Sequence, residues 1–327
     1  MNRVKYISSV FLRMLSLLIG VSIISFILVT NSPIDPLTSY IGAESTLSVE
    51  AKEEIADHWG LNDPPLERFA SWCKNVLKGD FGTSITYKQQ VSTVILERFK
   101  YSIVLMLVAW CFSGIVGFLI GVLAGIYKGS LFDKIIKIFC LALQSAPTFW
   151  IGLLILSLFS VYLGWFPIGF AVPIGKLSLE ITIWDRIYHL ILPALTLSIL
   201  GISRVTLFTR QKLIEILNSD FILFAKARGE NTRQLVIRHG LRNIALPAIT
   251  EQFASFSELF GGIALAETVF SYPGLGTATT AAGLNGDVPL LLGIAIFSAI
   301  FVFVGNFIAN ILYGVLDPRL KEGKYNG

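Results

Sequence analysis

Charge is scarce in this chain. Only 15% of its 327 residues are charged and 54% are hydrophobic, whereas soluble domains average about 25% charged residues. Apolar runs of this length exceed what a soluble core buries, and they place the chain in the membrane class. Cysteine is nearly missing too: Cys73, Cys111 and Cys140 are the whole set, at no metal or redox spacing. Cys111 and Cys140 lie in apolar runs and read as packing residues. His58, His189 and His239 fall in separate regions, which leaves no protein-made metal cage. No H-E-x-x-H, G-x-S-x-G or G-x-x-x-x-G-K-[ST] pattern occurs, so neither catalysis nor a bound cofactor is expected of this chain. "GFAVPIGKL" at 169–177 has the glycine and lysine of a phosphate loop at the wrong spacing, with Leu177 where a hydroxyl is needed. No basic stripe with interleaved aromatics is present, which excludes a nucleic-acid surface.

What is abundant is long apolar sequence. A spanning helix needs about 20 mostly apolar residues. Six stretches qualify: 9–30, 101–127, 138–163, 187–208, 246–270 and 288–315. The first is too long for the apolar core of a signal peptide, and "TNSPIDP" offers no small-residue cleavage site; it reads as a retained span. The expected architecture is all-α and polytopic. An N-terminus and first span occupy 1–30, an outer segment 31–100, a core with the other five spans and the 209–245 loop 101–315, and a tail 316–327. Lys and Arg crowd the 127–137 link, the 209–245 loop and both ends, while 271–287 has neither. Positive charge marks the cytoplasmic side, so both termini are predicted to lie there.

The outer segment predicts two short helices. Ser48 caps the first, which carries Glu50, Glu53 and Glu54 in its early turns and stops at Gly60. "PPLERFASWCKNVLKG" is the second, with Leu66, Phe69, Trp72, Cys73 and Val76 on one face and Gly79 at its end. They form either a packed loop or a landing surface for an external partner. In the second span Gly117, Gly121 and Gly125 recur every four residues, with Gly114 just before them. That spacing puts them on one face and lets a neighbouring backbone approach closely.

The strip "NSDFILFAKARGENTRQLVIRHGLRNIALP", 218–247, is basic, broken by glycine and prone to helix. Ser219 or Asp220 would cap a helix running to Arg228, stopped by Gly229, and Asn231 or Thr232 would start another. "FILFA" is unusually apolar for a polar loop and needs a surface to cover it. The open readings are the lipid surface, the chain's own bundle, or a groove on another protein. The fifth span carries Glu251 and Glu258, seven residues apart and therefore on one helical face. Acidic groups at membrane depth usually face a cavity or a partner. Glu251 is either solvated at the interface or part of a pathway, and Glu258 is read as facing a cavity.

"FAKARG" followed by "RHGLRNIALP" resembles the cytoplasmic coupling loop of ABC importer permeases of the dipeptide/oligopeptide/nickel type. "GLNDPPLERFASW", "GDFGTS", "HLILPALTL", "ETVFSYPGLG" and "LDPRL" resemble further stretches of that family in order, across nearly the whole chain. The resemblance implies a type I importer permease fold in the inner membrane, coupling through 209–245. Its implied partners are a second homologous permease, two cytoplasmic ATP-binding subunits and an extracytoplasmic solute-binding protein. Ala225, Ala227 and Gly229 are carried over as tight-packing contacts. Asp220 would cap, Phe221 and Phe224 would supply apolar contact, and Arg228, Arg233, His239, Arg242 and Asn243 would pair with the ATPase or brace the loop. "FILF" departs from the family's usual run there and makes the contact more apolar. Glu251 and Glu258 would line the pathway; Glu267, Pro273 and Gly274 would shape an outer gate. "SELFGG" resembles the nickel branch, so nickel or a nickel chelate is favoured slightly over short peptides. Two other readings remain: a proton-coupled secondary transporter using Glu251 and Glu258, or a membrane scaffold that transports nothing.

Overall fold

The computed structural model describes residues 3–31 and 63–316. Their regular elements are helical. In chain order they are α1 (Arg3–Thr30), α2 (Pro65–Leu77), α3 (Val91–Ile126), α4 (Leu131–Ser145), α5 (Thr148–Leu156) and α6 (Ile183–Leu217). Then come α7 (Asp220–Ala227), α8 (Leu241–Ala254), α9 (Phe256–Val269), α10 (Leu275–Leu284) and α11 (Val288–Leu316). Two compact units divide the chain: Met1–Ser102 with Pro273–Val304, and Ile103–Tyr272 with Gly305–Gly327.

Among the described residues α3, α6 and α11 are long and apolar enough to cross a membrane. Two expected spans are not single rods. The stretch 138–163 belongs to a helix pair, Leu131–Ser145 and Thr148–Tyr162, bent by 108°. Pro147 explains the bend: its ring disfavours helical backbone at the residue before it, and Ala146 is extended at φ −86°, ψ 136°. The stretch 246–270 breaks at Ser255 into α8 and α9. There the Ser255 hydroxyl donates to the Gln252 carbonyl at 2.8 Å, a back-bond of the kind that bends helices.

In the first unit, α2 begins with proline at its first turn, where a missing N–H costs nothing. Phe69 packs on Phe26 of α1 with ring centroids 5.0 Å apart. Phe69, Trp72, Cys73 and Val76 are half-buried as expected of one face, but Leu66 is 83% exposed. The helix expected over Ser48–Gly60 lies outside the described residues. Asp287 ties the unit together. It is fully buried and accepts from the Ser84 hydroxyl at 2.6 Å and the Thr86 N–H at 2.9 Å. Its other oxygen accepts the Leu290 N–H at 3.2 Å, capping α11. The "GDFGTS" stretch is thus a loop folded onto this carboxylate. Nearby, a Cβ on Gly293 of α11 would lie 2.5 Å from the Val91 side chain of α3, so Val91 packs directly onto the α11 backbone.

In the second unit α6 is the central helix and packs against α4, α5, α8 and α9. The glycine face of α3 lies on it as the spacing predicted. A Cβ at Gly117 would sit 2.8 Å from Val205, and one at Gly121 would sit 2.7 Å from the Thr206 carbonyl oxygen. Thr206 also donates its hydroxyl to the Gly117 carbonyl at 3.2 Å. Cys140 is buried as a packing residue, whereas Cys111 is exposed on α3. Its place in an apolar run did not reveal which side of the helix it occupied.

Substituting Gly121→Leu should therefore destabilise the purified protein by about 1–3 kcal/mol, the usual cost of overpacking. Gly20→Ala, with nothing within 4 Å of its Cβ, should leave the melting temperature unchanged or raise it. Asp287→Ala should cost about 2 kcal/mol or more, because buried donors lose their acceptor. Thermal denaturation in one detergent compares all three.

Candidate functional site

The polar elbow begins where α6 ends. Arg210 forms an ion pair with Asp133 in the first turn of α4, through a second contact of 2.7 Å as well. Asp133 is 2% exposed and also accepts the Gly129 N–H at 2.8 Å. Ser130 caps α4 by accepting the Asp133 N–H. The Ser-x-x-Asp spacing was a cap signal in the sequence, but nothing there pointed to Arg210.

Beyond α6 the chain folds back on itself. α7 runs Asp220–Ala227, close to the expected helix. Neither expected cap operates: the Ser219 hydroxyl donates to the Ile216 carbonyl at 2.5 Å, and no side chain caps α7. Asp220 instead occupies the first turn, where negative charge suits the helix dipole. Gly229 ends the helix at φ +90°, a backbone that glycine adopts without strain. Asn231 then accepts the Gln234 N–H at 3.0 Å and Gln234 answers the Asn231 N–H at 2.9 Å, a reciprocal cap. A π-helical turn, Leu235–Gly240, leads into α8.

This hairpin has its own small core of Ile222, Ala225 and Leu235, with Ile216 and Leu217 against it. Ala225 is only 2% exposed, so its expected role as an outward contact gives way to an inward one. Helical spacing explains this: Ile222 and Ala225 lie three apart and turn together to Leu235. The outward face is Phe221, Leu223 and Phe224, with Ala227 beside them. Leu223 was not singled out in the sequence. Arg228 lies over the Phe224 ring, 5.6 Å from its centroid. Glu230, also missed, holds the hairpin together through Arg228 and His239, each at 3.1 Å. The His239 ring stands edge-on to Phe221, 6.4 Å away, and the Asn243 amide donates to the His239 carbonyl at 2.7 Å. Arg233 and Arg242 are exposed. His239 and Asn243 thus brace the elbow, while Arg233 and Arg242 point outward.

Partial desolvation pushes the Glu230 carboxyl up, but pairing with His239 and Arg228 outweighs this and holds it below its usual value. A carboxylate with a depressed folded value stabilises above its unfolded value and loses that effect as pH falls through the folded one. The brace is therefore intact at neutral pH and opens in strong acid.

The second place of interest is a cavity of about 250 Å³ in the second unit, lined by residues of α4, α6, α9 and the Ser255 break. Arg204 of α6 and Glu258 of α9 form an ion pair on its wall. Arg204 was not a sequence candidate. A lone arginine in an apolar run carries no sign of which helix it faces. Glu251 and Glu258 fall on α8 and α9, on either side of the break at Ser255. Glu267 is fully buried, and its carbonyl accepts the Tyr272 N–H at 2.8 Å. The expected turn comes at Ser271, with φ 48°. Pro273 and Gly274 open the other unit just ahead of α10, where the Leu275 N–H donates to the Ser102 hydroxyl at 2.8 Å. Lys176 of "GFAVPIGKL" is engaged by Asp185 at 2.9 Å. Among the described residues no group of His, Cys, Asp and Glu is placed to hold a metal.

Helices of spanning length, an ion pair along one of them and a braced basic elbow define a polytopic membrane protein. Residues 117–322 match the family described as binding-protein-dependent transport system inner membrane component, and the chain belongs to that family. It is 35% identical to the oligopeptide transport system permease protein AppB of Bacillus subtilis (strain 168), over 95% of this chain and 97% of that protein. It is 33% identical to the di/tripeptide transport system permease protein DppB of Pseudomonas aeruginosa (strain UCBPP-PA14), over 95% and 98%. Identity to the dipeptide transport system permease protein DppB of Escherichia coli (strain K12) is 30%, over 94% and 95%.

Glu230→Gln should speed amide hydrogen exchange across 228–243 relative to the unaltered chain at neutral pH. That difference should persist through the ordinary glutamate range and vanish only in stronger acid, once the native carboxylate is itself protonated. A difference that persists even there would assign the brace to something other than charge.

Proposed function

We propose that this chain is one permease subunit of an ATP-driven importer of short peptides in the cytoplasmic membrane. The family and the relatives' names support the transport class and the peptide. Nickel and nickel chelates, favoured slightly in the sequence, have no counterpart in those names. Six spans with both termini in the cytoplasm agree with the distribution of Lys and Arg, and put the 209–245 elbow inside the cell. An extracytoplasmic binding protein delivers the solute, a second homologous permease completes the pathway, and two cytoplasmic ATP-binding subunits supply the energy. Glu267, Pro273 and Gly274 shape the outer gate.

The observation that carries the reading is the outward face of α7. Phe221 is 49% exposed, Leu223 59% and Phe224 67%, on a hairpin whose other side is already packed. An apolar knob this exposed needs a covering partner. Its own core and the Glu230 brace make it stiff enough to transmit a push. Such a push shifts the bundle between states only if the ATPase binds those states differently. The proton-relay alternative needs Glu258 free to carry a proton, and its pairing with Arg204 disfavours that. A scaffold would have no use for a charge pair on a cavity wall.

Ala227→Glu and Phe224→Glu place a charge on that face without touching the inner core. In the purified complex with its partners, either should lower peptide-stimulated ATP hydrolysis about tenfold or more, with membrane insertion unchanged. Normal stimulation in both variants would remove the elbow from the coupling path.

A further inference from the structure

Arg204 sits inside α6, a helix long enough to span a membrane. Its side chain is 41% exposed on this chain and that of its partner Glu258 is 61% exposed. Charges so open cannot face lipid, since ionised groups at membrane depth turn to a cavity, water or a partner. The wall around them is otherwise neutral. Leu197, Leu200 and Leu259 supply apolar surface, and Gln144 and Ser255 supply polar edges. The Gln144 side chain is exposed and offers both an amide donor and an acceptor. That complement suits a peptide bond. The cavity, about 250 Å³, falls just below the roughly 300–1,000 Å³ of closed small-molecule pockets, so it suits a short chain.

We infer that Arg204 and Glu258 form a passenger-binding site for a zwitterionic short peptide, whose carboxylate replaces Glu258 at Arg204 and whose amine replaces Arg204 at Glu258. This rests on the peptide-import reading above and assigns residues to it. The pair holds one charge of each sign. A passenger with one charge of each sign opens the pair and leaves neither partner alone. A passenger of one sign leaves the other partner unpaired at membrane depth, which is unfavourable. A bare cation would satisfy Glu258 and abandon Arg204. The site therefore selects for two free ends and ignores side chains, apart from size. With no passenger the two residues pair with each other, so the empty pathway carries no exposed net charge.

The test uses the chain purified with its second permease and ATP-binding subunits, without the binding protein. It is titrated with trialanine, N-acetyl-trialanine and trialanine amide. Trialanine should bind about tenfold or more tightly than either capped form. Glu258→Gln should abolish only the penalty for acetylation, and Arg204→Gln only the penalty for amidation. The capped probes on the unaltered complex carry the test should either variant fold poorly. Equal binding of all three probes, or no binding, overturns the inference if peptide-stimulated ATP hydrolysis persists once the binding protein is added; the proposed function then stands. No peptide stimulation of the unaltered, fully assembled complex sinks the peptide-import reading and this inference with it.

Discussion

Hydrocarbon offers no water to a stray polar group, and α6 carries that constraint for the second unit. Its Ser198 and Ser203 hydroxyls bond back to carbonyls of their own helix. Thr206 reaches a carbonyl of α3, and His189 bonds the Gly169 carbonyl at 2.8 Å. Arg204 and Arg210 each find a carboxylate on another helix. The Thr206 bond needs the two backbones at close range. The glycines of α3 make that approach possible by presenting no Cβ to Val205, Thr206 and Leu213. Small residues and paired polar groups work together on α6, because helices in lipid gain no hydrophobic drive from one another; the buried Thr196 and Thr209 hydroxyls of the same helix are exceptions, with no hydrogen-bond partner.

The same economy shapes the irregular parts. Breaks in the helices fall where local chemistry accounts for them: Pro147 after an extended Ala146, and Ser255 with its hydroxyl turned to Gln252. In the first unit a single buried carboxylate, Asp287, organises a loop and caps α11. In the elbow, a three-residue core and one glutamate turn a short strip into a stiff hairpin. The hairpin is braced from within rather than by its outward residues.

Much of this was readable in order along the chain. Four-residue glycine spacing named the packing face of α3 correctly, and Gly229 and Asn231 marked the elbow's turn because caps depend on neighbours in sequence. The failures share a different cause. Ala225 lay within the expected contact strip, yet its direction depends on where Leu235 folds, ten positions later. Leu66 had the right spacing for the buried face of α2 but is 83% exposed.

The sequence alone determined the membrane class, the helical make-up, the family and the place of the elbow, since hydrophobic run length, local caps and motif order are properties of neighbouring residues. Only the tertiary structure decided which charges meet: Arg204 with Glu258, Arg210 with Asp133, Asp287 with Ser84 and Thr86. Those partners are dozens to hundreds of residues apart. Single arginines and aspartates look alike in a linear chain until folding brings the one that neutralises them within reach.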